Sequence, residues 1–163
     1  MTPPFRPADI IAALEAHGVD YVLVGGLALI AHGAVRATLD ADVVPAPNHA
    51  NLTRLLAAMN ELDAVPYGDP GTPVDIDLIG RDANMRFLSR AGQIDLLLSN
   101  DYRERFASLR ERAVRAHAGA IAAWVVGRDD LIALKLATGR DRDLLDVGDL
   151  LALDDDGEPS GER

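Results

Sequence analysis

An α/β or α+β fold is predicted by three features of the chain. Residues 20–44 read as strand, Gly-Gly, helix, strand; residues 85–99 carry a hairpin pattern; and both ends show apolar positions at helical spacing. Together these predict a mixed β-sheet with helices on one side and a short helical pair at the C-terminus. No internal repeat and no second domain are visible, so residues 1–153 are expected to form a single domain, followed by a disordered acidic tail over 154–163.

Pro7 suits the first turn of a helix whose apolar stripe is Ile10, Ile11 and Leu14, and Gly18 suits its end. Asp20 to Val24 is an apolar strand. Gly25-Gly26 makes a tight exit into a short helix, Leu27 to His32, ended by Gly33. A second strand runs from about Thr38 to Val44, and Pro45 stops it. Asn48 is a candidate N-cap for a helix with the face Leu52, Leu55, Leu56, Met59 and Leu62. The prolines and glycines of Val65 to Thr72 mark a loop, and Asp75 to Ile79 reads as strand or irregular backbone. Met85 to Ser89 and Gln93 to Ser99 form the hairpin around Arg90-Ala91-Gly92. A helix follows over Tyr102 to Leu109. Arg112 to Ala118 has no dominant period, and Ala120 to Val126 is an apolar strand containing Trp124. Asp129 or Asp130 caps a helix with Leu131, Leu134 and Leu136 among its apolar positions, punctuated by Gly139. The last helix, about Asp141 to Leu153, is expected to turn Leu144, Leu145, Val147, Leu150 and Leu151 inward.

The chain has 163 residues, 48% of them hydrophobic and 26% charged, which is ordinary for a water-soluble domain. It has no cysteine, which excludes disulfides and thiolate metal sites and fits a cytoplasmic location. The N-terminus lacks the apolar core of a signal peptide, and the longest apolar run is too short and too glycine-broken to span a membrane. The net charge of −10 argues against binding nucleic acid mainly through its phosphates.

Asp40 and Asp42 alternate with Ala41 along a strand, so their carboxylates share one face. Like charges so placed need a cation, and an oxygen-loving divalent metal such as Mg2+ suits them. Gly25-Gly26 precedes them at the mouth of a helix, where glycine lets backbone approach a phosphate closely. That order provides what displacement at phosphorus requires. Asp95 lies in the strand-like run Gln93 to Leu97, where a lone charge is costly unless it serves a site. Asp75 and Asp77 repeat the Asp-x-Asp spacing but follow a glycine-proline loop, and read as a solvated face. His32 reads as a helix-end residue; with four scattered histidines and no cysteine, zinc is not expected.

The run VGGLALIAHGAVRATLDADVV resembles the signature of minimal nucleotidyltransferases of the DNA polymerase β superfamily. Within that superfamily the likeness is to the AbiEii-like toxin nucleotidyltransferases. It continues in RDDLIALKLATGRDRDLLDVGDL, which is similar to that group's Asp-Leu, Lys, Gly-Arg, Asp segment. The resemblance implies a nucleotidyltransferase-like sheet that moves a nucleoside monophosphate from an NTP to a hydroxyl. By it, Gly25 and Gly26 hold the triphosphate, and Asp40 and Asp42 bind Mg2+ or Mn2+. Asp95 is the third carboxylate, ligand or base. Arg36 and Thr38 match the family's Arg-x-Thr before the catalytic pair. Lys135 is implied to reach the triphosphate, where its position among leucines alone reads equally as a lysine snorkelling to water. Arg140 follows it, and Asp143 and Asp146, three apart on one helix face, are candidates to orient Lys135 or Arg140. The acceptor expected is tRNA, a protein or a small molecule, and an antitoxin or other partner protein is a further expectation. Gly26 stands where many members have serine.

Overall fold

The computed structural model describes residues 2–155. Seven helices and seven strands lie within them: α1 (Pro7–Ala16), β1 (Tyr21–Val24), α2 (Gly25–Ala31), β2 (Asp40–Pro45), α3 (His49–Glu61), β3 (Val65–Pro66), α4 (Ile76–Ile79), β4 (Met85–Ser89), β5 (Gly92–Leu96), α5 (Asn100–Glu111), β6 (Val114–Ala118), β7 (Ile121–Val125), α6 (Arg128–Thr138) and α7 (Asp141–Asp155). The strands form one sheet in the order β3-β4-β5-β2-β1-β7-β6. It is mixed, as predicted: β2 pairs in parallel with β5 and β1 with β7, while the other neighbours are antiparallel. No described helix is long and apolar enough to cross a membrane.

The centre of the sheet is covered on both faces, not on one. All four residues of β1 are buried, and Val43 and Val44, which point to opposite faces, are both fully enclosed. Helices α1 and α3 pack on each other and on β2, while α2 and α5 contact β1 and β2. The Asn48 side chain accepts from Asn51 N–H at 2.9 Å and caps α3. Asn51 itself is buried. Its carbonyl oxygen accepts from Asp20 N–H, and its amide donates to the Asp20 and Ala46 carbonyls, tying α3 to the joined ends of β1 and β2.

Several local expectations differ. Val65-Pro66, expected as loop, forms a two-residue edge strand, a position where proline's missing N–H is harmless. Asp75 is neither strand nor loop but the N-cap of α4, accepting from Leu78 N–H at 2.9 Å. The stretch without a dominant period becomes the edge strand β6. Gly25 and Gly26 open α2 itself.

The inward face of α7 also differs. Val147 and Leu150 are buried as expected, but Leu144, Leu145 and Leu151 are exposed, as is Leu136 on α6. The buried stripe runs Asp143, Asp146, Val147, Leu150, the i, i+3, i+4, i+7 spacing of one helix face. Two carboxylates hold inward positions because cations wait for them there, as described below. Helix α7 runs two residues past the expected boundary at 153, and the rest of the expected tail, 156–163, lies outside the described residues.

Candidate active site

The parallel pairing of β2 with β5 sets Asp42 beside Asp95 and Asp40 beside Gln93. Asp40, Asp42 and Asp95 each offer an oxygen, all within 4.8 Å of one another, and no other cluster of this kind occurs among the described residues. Gln93 Nε2 donates to Asp40 Oδ2 at 3.1 Å, and the Thr38 hydroxyl donates to the Asp40 backbone oxygen at 3.2 Å. Arg86, across the hairpin on β4, forks onto both oxygens of Asp95 at 2.9 and 3.1 Å. Asp42 has no such cation in contact. Burial first, and then the Asp40 and Asp95 carboxylates, pushes its pKa up to about 7. Three converging hard oxygen donors, two of them without a cation partner, suit a divalent cation.

Gly25 makes the approach to Asp42 feasible. Its φ is +67°, and a Cβ there would fall 2.8 Å from the Asp42 carboxylate carbon. A Cβ at Gly26 would lie 2.6 Å from the Thr38 hydroxyl, so the second glycine lets the chain before β2 close over the start of α2.

Cations line the same cavity. Lys135 Nζ donates to Asp146 Oδ2 at 2.9 Å and to Asp143 Oδ1 at 3.2 Å, and its side chain is only 13% exposed. It is therefore held inside the site and does not snorkel to water. Arg36 pairs with Asp146 from the α2–β2 loop. Arg140 Nε donates to Asp143 Oδ2 at 2.7 Å, and that guanidinium, chiefly, holds the Asp143 carboxyl well below the usual range. Two buried carboxylates thus fix three cations contributed by α6, the α6–α7 turn and a distant loop.

The carboxylates and these cations line one cavity of about 330 Å³ that is open to solvent. Its lining includes Gly25, Gly26, Arg36, Thr38, Asp40, Asp42, Asp95, Lys135, Arg140 and Asp143, while Asp146, also a candidate, stands behind it on Lys135 and Arg36. Asp75 and Asp77 take no part. Sequence reasoning missed Arg86, Gln93, Tyr102 and Arg142 as part of the site, and the extent to which Asp146 organises it. The hairpin held the signal for Arg86, because pairing Ser89 with Gly92 across the turn counts back to Arg86 opposite Asp95. Tyr102 had no such signal; it enters from α5, with its pKa raised by burial first and then by Asp42.

Comparison with known proteins gives the same fold. The lincosamide antibiotic adenylyltransferase LnuA, solved with lincomycin bound, aligns over 90% of this chain and 97% of its own, with a TM-score of 0.61 and 14% identity. A nucleotidyltransferase-like structure from Thermotoga maritima aligns over 92% and 96%, with a TM-score of 0.58 and 11% identity. An antigenic nucleotidyltransferase-like protein from Paracoccidioides brasiliensis aligns over 92% and 78%, with a TM-score of 0.54 and 17% identity. A comparison with curated protein sequences finds no match. A family model described as nucleotidyltransferase of unknown function (DUF6036) matches residues 9–152, which span the sheet, the carboxylate cluster and the cations. On that match the chain belongs to the DUF6036 family of nucleotidyltransferases.

Proposed function

We propose that the protein transfers a nucleoside monophosphate from an NTP to a hydroxyl acceptor and releases pyrophosphate. The observation that carries this reading is one cavity lined both by a carboxylate cluster and by Lys135, Arg36 and Arg140. Asp40, Asp42 and Asp95 are the residues to hold Mg2+, with Mn2+ as the alternative. Such an ion neutralises charge on the transferring phosphoryl group. Lys135, Arg36 and Arg140 hold the outer phosphates, and Gly25 and Gly26 leave room for them. Asp143 and Asp146 keep the three cations in place. Asp95 takes the proton from the acceptor hydroxyl. The hydroxyl oxygen bonds to the α-phosphorus as the bond to the bridging oxygen breaks, and that electron pair departs with pyrophosphate. Residues 1–153 act as one domain, working in the cytoplasm.

Labelled NTPs with Mg2+, offered to RNA, protein and small-molecule fractions of a cell extract, test this reading. Transfer by the wild type that falls at least a hundredfold in Asp40→Asn is the expected result. Transfer that survives Asp40→Asn would sink the metal-binding role.

The exposed leucines of α7 favour a second reading, as a nucleotide-binding or interaction module of a toxin–antitoxin pair. Leu144, Leu145 and Leu151 offer apolar surface to a partner protein such as an antitoxin, in line with the AbiEii-like resemblance. NTP binding without transfer to any fraction, restored or silenced by a co-expressed partner, is what this reading predicts.

A further inference from the structure

Asp95 lines two neighbouring spaces. Beside the cavity already described is a second, more open hollow of about 320 Å³, lined by Asn84, Met85, Arg86, Asp95 and Leu97. Asp95, Arg86 and Leu97 border both. The strand order sets the direction of the chemistry. Running β1, β2, β5, β4, the sheet lays out the Gly25-Gly26 mouth at the end of β1, then Asp40 and Asp42, then Asp95, then Arg86. In phosphoryl transfer the attacking and leaving oxygens lie roughly in line. If pyrophosphate leaves toward the Gly25 and Lys135 end, the attacking hydroxyl enters from the Arg86 end, past Asp95.

We infer that this second hollow is the acceptor subsite, and that it takes a compact, uncharged, hydroxyl-bearing small molecule. The inference rests on the nucleotidyl-transfer reading above. The charge of the hollow decides the class. Its one lining cation, Arg86, already spends its fork on Asp95, so the pair offers no net charge to a ligand. The remaining lining residues are an amide, a thioether and a leucine. An RNA end would bring phosphates to a chain with a net charge of −10 and find no free cation in this hollow. Arg86 acts here as a positioning residue, holding Asp95 beside both spaces.

Asn84 gives a test confined to the hollow, since it does not line the NTP cavity. Its side chain is exposed and accepts from Ser99 N–H at 3.0 Å. Asn84→Trp fills the hollow, while Asn84→Ala loses the same hydrogen bond and leaves the space open. The probes are adenosine, glucose and myo-inositol, their phosphorylated counterparts and a short RNA, each with labelled ATP and Mg2+. Transfer to an uncharged member is expected, with its KM raised at least tenfold by Asn84→Trp and by several-fold less in Asn84→Ala, and with ATP affinity held within twofold in both. Unchanged KM in Asn84→Trp overturns the subsite. Preference for the phosphorylated compounds or RNA, or ATP binding with no uncharged member accepted, overturns the acceptor class. Failure of the wild type to bind any of the four NTPs with Mg2+ counts instead against nucleotidyl transfer itself.

Discussion

Asp42 carries the largest electrostatic strain in the site, and its replacement by asparagine makes a quantitative test. In the metal-free protein its carboxyl titrates near 7 against an ordinary 3.8, chiefly because it is buried and secondarily because Asp40 and Asp95 face it. Below about pH 4 the group is protonated in folded and unfolded chains alike and has no effect on stability. Between about pH 4 and 7 the unfolded chain ionises while the folded one keeps its proton, so stability falls as pH rises. Above about 7 the loss is complete, and three units at about 1.4 kcal/mol each make it about 4 kcal/mol. Asp42→Asn removes that titration. In EDTA at about pH 8 the variant should exceed the wild type by up to about 4 kcal/mol in urea unfolding, and the gap should close towards pH 4. Mg2+ should narrow that gap: at a hundred times its Kd the wild type gains about 2.7 kcal/mol, while the variant, missing one of three ligands, gains far less. A variant less stable than the wild type in EDTA at pH 8, or one with an equal gain from Mg2+, would refute this account of the cluster.

Other substitutions probe the remaining parts. Gly25→Ala forces an L side chain into a left-handed conformation, which costs about 1–2 kcal/mol, and pushes a methyl group onto the Asp42 carboxylate; it should lower Tm and weaken Mn2+ binding measured by paramagnetic relaxation. Asp146→Ala leaves Lys135 and Arg36 without their shared buried partner, so it should cost about 3–5 kcal/mol in urea unfolding and weaken NTP binding at least tenfold by calorimetry. Leu145→Gln, on the exposed face of α7, should change stability by less than about 0.5 kcal/mol, whereas Leu150→Ala should cost about 2–5 kcal/mol.

The sequence by itself determined the parts whose signals are local. The alternation of Asp40 with Ala41 puts two carboxylates on one face, the Gly-Gly before them marks a close approach, and Asn48 caps a helix; each depends on neighbours a few residues away. For that reason the mixed sheet, the shared face of Asp40 and Asp42 and the glycine turn before them were legible in the chain, whereas Arg36, Thr38, Lys135 and Arg140 were named only through the family resemblance. The tertiary structure decided what depends on register and helix phase. Parallel pairing of β2 with β5 brings Asp95, fifty-odd residues distant, level with Asp42, and hairpin register then sets Arg86 on Asp95. The phase of α7 was misread because apolarity alone pointed to Leu144, Leu145 and Leu151. Asp143 and Asp146 face inward instead, since Lys135 and Arg36 meet them there. A buried charge is paired by groups from other elements, and no local period records where those partners will stand.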